Sequence, residues 1–358
     1  EKVSDIDTGY LVEYDIGLYR EGLENTDENF FLIDEMMFKR YASYYKARDE
    51  RGGESNLALD VDTQSMYSFL VSEAMGAVLL KTNTIKIEYN QISEPITSEN
   101  VAAMIVGSEK PDEYIILSAH LDTTGGGTGA TDNGTGTIVM MEAMRILKKI
   151  YPNPKRTIIA GHWGAEEQGL NGSSAFVEDN PEIVKNLQAL FNQDNGTGRT
   201  VQISGHGFTE AYRFMGDWLK YVPSEISDEI ETDFPGVPIP LFQKESNGVM
   251  VRAGGSSDWR NFVSSGVPGF NLTSLDFSYG GKSKYFYTWH TNRDTYDKII
   301  FDDVRDNAIL VAILTYLASE EDELMPRDRR VLPINPMTGE RGKWPSLRVP
   351  NRDGSEDN

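Results

Sequence analysis

"YIILSAHLDTTGGGTGATDNGTGTIVMMEAMRILKKI", residues 114–150, runs from an unbroken apolar stretch, through a glycine-rich loop, into a segment with apolar residues at helical spacing. The spacing predicts a buried strand, a loop and a helix over 136–150. The loop is poor in apolar side chains and holds Asp122, Asp132 and, just before it, His120. A phosphate loop, a surface loop and a metal site are all compatible with that composition. The loop lacks the Lys-Ser/Thr of a phosphate loop and the spacing of a dinucleotide fingerprint.

The same alternation continues on either side. "NVAAMIVG", "EYIILSAHLD", "RTIIAGHW" and "ALFNQ" read as strands, "WRNFVSSGVPGFNLT" as a helix and then a strand, and "DDVRDNAILVAILTYLASEE" as a long closing helix. Alternating strands and helices predict an α/β fold with a mostly parallel, mixed sheet covered by helices on both faces. Three regions are expected: an N-terminal α/β segment over 1–100, a catalytic domain over 101–320, and an extended, partly packed tail over 321–358 rich in Pro and Arg. Within the first, helical apolar spacing predicts one helix in 27–50 and a second in 60–76. Strands are expected in 77–92. No chemistry is evident there.

Bulk composition removes several classes of function. A net charge of −22 disfavours nucleic-acid backbones and anionic membranes as partners. The chain has no cysteine, so disulfides, thiolate zinc sites and a cysteine nucleophile are excluded. No apolar run approaches the ~18 residues of a membrane span. The chain begins at Glu1 rather than Met, and a processed or trimmed start is expected.

In open α/β sheets the ligand site lies beyond the carboxyl ends of the strands. His120 and Asp122, Glu166 and Glu167, and Asp194 all follow predicted strands. Asp132 sits in the glycine-rich loop, and His290 and Asp294 precede the last helix. A strand-end Asp is ordinarily a cap and a Glu-Glu pair ordinarily a solvated surface, but the chain has only four histidines and two of them fall in these clusters. His162 and His206 do not, and read as structural. A pair of divalent metals needs a bridging carboxylate, further His or carboxylate ligands, and a free carboxylate as general base. Such a donor set suits zinc, with cobalt and manganese as alternatives.

"SAHLDT", "GATDNGTGT", "GAEEQGLNGS", "FNQDNGTG", "SSDWRNFVSSGVPGFNL" and "YTWHTNRDTYDK" stand in an order that resembles the M28 family of two-zinc exopeptidases, over roughly residues 100–320. That family includes bacterial leucyl-type aminopeptidases and the carboxypeptidase Q branch. The resemblance implies a zinc-exopeptidase-like α/β/α sandwich and two divalent metal ions, zinc foremost. Asp132 would bridge the metals, His120 and Asp194 would complete one, and Glu167 and His290 the other. Glu166 would be the general base acting on the bridging water. Asp122 would accept the second imidazole N–H of His120. Asp258 matches a family position close to the site, as a substrate-binding or supporting residue. Trp289 stands where some relatives carry an oxyanion-stabilising tyrosine, which Tyr285 or Tyr287 could replace. Residues 1–100 loosely resemble the tail of a protease-associated insert, which implies further sequence upstream.

The resemblance thus implies an exopeptidase acting on peptide substrates, an aminopeptidase foremost, in a periplasmic or secreted setting. A homodimer is compatible with it. A carboxypeptidase or dipeptidase on the same site is the nearest alternative. A single-zinc glutaminyl cyclotransferase is the alternative of a different class. An α-carboxylate anchor, if there is one, would come from Arg260, Lys282, Lys284 or Arg293.

Overall fold

The computed structural model describes residues 10–20, 30–34, 69–71, 84–89, 97–123, 127–232, 245–246, 249–250, 257–274, 288, 294–332, 334, 341, 344 and 346–352. The chain divides into two compact units, Glu1–Pro95 and Ile96–Asn358.

In the first unit four strands are described: β1 (Tyr10–Arg20), β2 (Phe30–Asp34), β3 (Phe69–Val71) and β4 (Thr84–Tyr89). They form one antiparallel sheet in the order β3-β2-β1-β4. Strand β4 falls where strands were expected. Strands β2 and β3 fall inside the two segments read as helices, and correct that reading at those positions. The reason is local: "FFLID" and "FLV" are short apolar runs that fit a period of 2 as well as one of 3.6. Aromatic and branched residues then favour the strand once a partner is available.

The second unit is built on a seven-stranded mixed sheet. Its strands are β5 (Val101–Ile105), β6 (Lys110–His120), β7 (Arg156–Trp163), β8 (Leu187–Gln193), β9 (Thr200–Ser204), β10 (Glu231–Thr232) and, after a small ribbon of β11 (Glu245–Ser246) and β12 (Val249–Met250), β13 (Gly269–Ser274). The order is β10-β9-β13-β8-β6-β7-β5. The four central strands β7, β6, β8 and β13 run parallel, while β5 and β13 pair antiparallel with β7 and β9. Every residue of β7 and β8 is buried. That is what a parallel strand covered on both faces requires, and it explains the uninterrupted apolar runs in the sequence.

Among the described residues seven helices accompany this sheet: α1 (Thr135–Ile150), α2 (Asn171–Asp179), α3 (Pro181–Lys185), α4 (Ala211–Leu219), α5 (Ser224–Ser227), α6 (Trp259–Ser264) and α7 (Phe301–Glu320). Helices α1 and α7 pack on each other and on the central strands, and α2 and α6 pack on each other and against β7, β8 and β13. Val139, Met140, Ala143 and Leu147 place the buried stripe of α1 on one face. The core is continuous through Ile115, Ile116, Leu117, Ile158, Leu190, Phe191, Phe262, Leu310 and Leu314. Each such side chain contributes about 1.5–3 kcal/mol on burial. No helix among the described residues is long and apolar enough to cross a membrane.

The consequence for function lies in the strand order. Because β6 is central, with β7 on one side and β8 on the other, the loops that leave all three carboxyl ends open side by side. His120 ends β6 opposite Trp163, and Asp194 immediately follows β8.

Candidate metal centre

His120 is fully buried at the end of β6. Its Nδ1 lies 2.9 Å from the main-chain oxygen of Asp122. A carbonyl can only accept, so Nδ1 carries the proton and Nε2 is the face turned to the site. Nε2 lies 3.1 Å from Asp194 Oδ1 and 3.2 Å from Asp132 Oδ1. The tautomer is therefore fixed by Asp122, but mainly through its backbone, because its Oδ1 stands 3.6 Å from Nδ1.

The Asp122 carboxylate has other partners. It accepts the main-chain N–H of Glu166 at 3.0 Å on one oxygen and that of Glu167 at 3.1 Å on the other. One carboxylate thus fixes the backbone of the adjacent glutamates, and the loop after β6 is tied to the loop after β7. Burial pushes Asp122 up, but the nearby imidazole and these N–H groups outweigh it, and its pKa is lowered.

Asp132 is carried on a kinked turn, Ala130–Gly134, that leads into α1, with Asp132 and Asn133 outside helical geometry. Its main-chain N–H and that of Thr131 both donate to Asp294. Asn133 donates to the carbonyl of Gln193 at 2.9 Å, which ties the turn to the end of β8. The chain needs glycine at 136: a Cβ there would stand 2.6 Å from that same Gln193 carbonyl.

Two groups of donors converge. His120, Glu166 and Asp194 bring ligand atoms within 4.8 Å of one another, as do His120, Asp132 and Glu167. Five of the residues named from the sequence therefore meet. His290 and Tyr287 lie outside the described residues. Asp122 stands behind the cluster and steadies it. Asp258, at the start of α6, is fully buried, and its charge is felt by Glu166.

Electrostatics bear on what the cluster can hold. Burial would depress His120, but Asp194, Asp122 and Asp132 outweigh it and hold its pKa well above the ordinary value. Burial, reinforced by Asp194 and Glu167, pushes Asp132 up to about 6. Burial also raises Glu166 well above the usual carboxylate range, with Asp194, Asp258 and Glu167 adding to it. Asp258 is pushed up to about 7, again by burial first, and neither of its oxygens accepts a hydrogen bond of normal geometry. The Ser173 hydroxyl beside it is only a weak counterweight, because it points its proton at Leu170. Carboxylates crowded about one imidazole resist carrying their charges together. Divalent cations relieve that crowding, so the donor set fits them in charge as well as in type.

Below the cluster a buried hydrogen-bond chain crosses the sheet. Trp163 Nε1 donates to Ser118 Oγ at 2.8 Å, Ser118 donates to Asn192 Oδ1 at 2.7 Å, and Asn192 Nδ2 donates to Ser257 Oγ at 3.1 Å. It levels the ends of β7, β6 and β8 with the start of α6. Sequence reading missed this chain. The only signal was polar residues two positions ahead of His120 and Asp194, on the same strand face. The structural reading of the other histidines fits their surroundings: His206 is stacked on Trp259 with centroids 3.5 Å apart, and burial pushes it down to about 3. Burial also lowers His162.

The chain can be compared with known proteins at this point. The model of the family described as peptidase family M28 matches residues 100–315. Carboxypeptidase Q of Xenopus laevis is 26% identical over 273 residues, 75% of this chain and 51% of that protein. The human carboxypeptidase Q is 29% identical over 271 residues, 75% of this chain and 50% of that protein. The chain thus spans about half the length of these relatives. Among solved structures, a peptidase M28 precursor from Shewanella amazonensis superposes with a TM-score of 0.53 at 24% identity, covering 74% of this chain and 50% of that one. The matched span contains the three strand-end loops that carry His120, Asp132, Glu166, Glu167 and Asp194, and this chain belongs to peptidase family M28.

Proposed function

We propose that the protein is a metal-dependent exopeptidase that hydrolyses terminal peptide bonds of peptides, with two divalent cations, zinc foremost, at the strand-end cluster. The observation that carries this reading is the convergence of His120, Asp132, Glu166, Glu167 and Asp194, from the loops after β6, β7 and β8, into one cluster in which His120 and Asp132 are buried and the other three half-buried.

His120, Asp132, Glu167 and Asp194 would hold the cations, Asp132 shared between the two, His120 and Asp194 serving one and Glu167 the other. His290 is the expected further ligand beside Glu167. When bound, the cations supply Lewis acidity that polarises a carbonyl and lowers the pKa of water. Glu166 takes the proton of the attacking water on its carboxylate, holds it within the cluster, and returns it to the departing amine. Its backbone is fixed by Asp122, which sets the point from which the carboxylate projects.

The same acidity bears on which end of the peptide is bound. A carboxylate-rich pocket accommodates a free α-amine, whereas a carboxypeptidase needs a cation for the terminal carboxylate. The chain is acidic overall, and its catalytic loops carry few basic residues; of the candidate cations Arg260 stands on α6, and Lys282, Lys284 and Arg293 lie outside the described residues. We therefore read the protein as an aminopeptidase. The alternative is favoured by the names of its carboxypeptidase Q relatives.

A panel of dipeptides and tripeptides, free, N-acetylated or C-amidated, tests both readings. The aminopeptidase reading predicts strong loss on N-acetylation and little on amidation. The opposite dependence reverses the polarity and leaves the exopeptidase reading standing. Equal cleavage of doubly blocked peptides overturns exopeptidase action altogether.

A further inference from the structure

Residues 346–352 lie outside the stretch matched by the family and are laid along the segment that follows Glu166 and Glu167. Arg348 Nη1 donates to the carbonyl of Gly169 at 2.7 Å. The Arg348 carbonyl accepts the Ser174 hydroxyl at 2.7 Å, and the Asn351 N–H donates to Asn171 Oδ1 at 2.9 Å. At the outer end Arg352 pairs with Glu178 and Asp179 on the surface of α2.

The gripped segment is a tight turn closed on Glu166 itself. The N–H groups of Gly169 and Leu170 both donate to the Glu166 carbonyl at 2.8 Å. The turn needs two consecutive left-handed residues, Gly169 at φ 111° and Leu170 at φ 64°. Leucine in that region is disfavoured by about 1–2 kcal/mol and persists only where its surroundings hold it. Three groups do so from different elements. Asp122 holds the N–H groups of Glu166 and Glu167, Asn261 Nδ2 donates to the Leu170 carbonyl at 3.1 Å, and Arg348 holds the Gly169 carbonyl. A Cβ at position 169 would stand 3.2 Å from Arg348 Nη1, so glycine also lets the guanidinium close on the turn.

We propose that the C-terminal stretch 346–351 is a positioning strap for the Glu166–Glu167 pair, with Arg348 as the residue that acts on it through the Gly169 carbonyl. The inference rests on the proposed roles of Glu166 as base and Glu167 as metal ligand. Arg348 touches neither substrate nor reacting atoms. It fixes the peptide frame from which both carboxylates project.

The test compares Arg348→Ala, Arg348→Lys and Arg352→Ala in the full-length, zinc-loaded protein. Amide hydrogen exchange is read over residues 164–172, with residues 156–163 of β7 as the internal reference, alongside kcat, KM and zinc affinity by chelator competition. Arg348→Ala is expected to speed exchange over 164–172 and to lower kcat by about tenfold, the scale of one lost hydrogen bond from a charged donor. KM and the β7 reference stay within about twofold. Arg348→Lys regains part of both effects, because the ammonium still donates to the carbonyl. Arg352→Ala, which removes only an exposed pair, changes neither. Unchanged exchange over 164–172 in Arg348→Ala overturns the proposal, as does faster exchange with kcat unaltered. If the parent protein cleaves no peptide, the exopeptidase reading fails by itself. Zinc affinity then decides the strap: about a tenfold loss in Arg348→Ala supports it, and unchanged affinity overturns it.

Discussion

Asp294 accepts the main-chain N–H of Asp132 at 2.9 Å on one carboxylate oxygen and that of Thr131 at 2.6 Å on the other. A residue just ahead of the closing helix thereby sets the backbone of the residue proposed to bridge the metals, 162 positions earlier in the chain. Asp294 is buried, so these N–H groups have no water to turn to if it is removed.

Asp294→Ala is therefore expected to cost about 2–4 kcal/mol, from two buried donors stranded at once. Asp294→Asn retains one acceptor and should lose less. Urea denaturation of the metal-free proteins measures this, and a zinc titration should show weaker binding in the order wild type, Asn, Ala. Equal stability of all three would mean that the turn holds Asp132 without Asp294.

Removing the bridge itself should have a different signature. Asp132→Ala is expected to lose most of its bound zinc and its peptidase activity while keeping the fold, because each metal is left with too few protein ligands. Metal analysis of the purified variant, with circular dichroism to check folding, reads this directly. Near-wild-type zinc content would remove Asp132 from the centre.

The adjacent glutamates carry opposite proposed tasks. Glu166→Gln cannot take a proton and is expected to lose about 10²–10⁴ in kcat with its zinc retained. Glu167→Gln should instead weaken zinc binding, with activity recovering in part at high zinc. Parallel kinetics and metal analysis separate them, and identical behaviour would dissolve the assignment.

The fold of the second unit was legible because parallel strands buried on both faces write continuous apolar runs. "YIILSA", "RTIIAGHW" and "ALFNQ" are such runs, and α1 and α7 announce themselves by length and spacing. In the first unit the signal failed at "FFLID" and "FLV", runs too short to fix a period. The residues of the cluster were legible as histidine and carboxylates placed just after strands, and family motifs supplied their proposed roles. Less was legible of what holds them. That Asp122 would serve two backbone N–H groups, or that Arg348 would reach the Gly169 carbonyl from 179 residues away, depends on loop paths that leave no periodic trace.

Protons and metal compete for the same atoms, which gives the binding a direction in pH. In the metal-free protein Asp132 titrates at about 6 and His120 is held well above its ordinary value, so both are protonated in mild acid. Metal must displace those protons, so zinc affinity should rise from pH 5 to pH 8, with proton release on binding. Calorimetric titration in buffers of different ionisation enthalpy counts the protons. An affinity independent of pH would place the metal elsewhere.

The central claim is that hydrolysis depends on metal held by this cluster. The most direct test follows peptidase activity on an unblocked dipeptide while zinc is stripped by chelator and then titrated back into the same preparation. Activity should vanish with the metal and return in step with added zinc, saturating near about two ions per chain. Full activity in demonstrably metal-free protein would contradict the account.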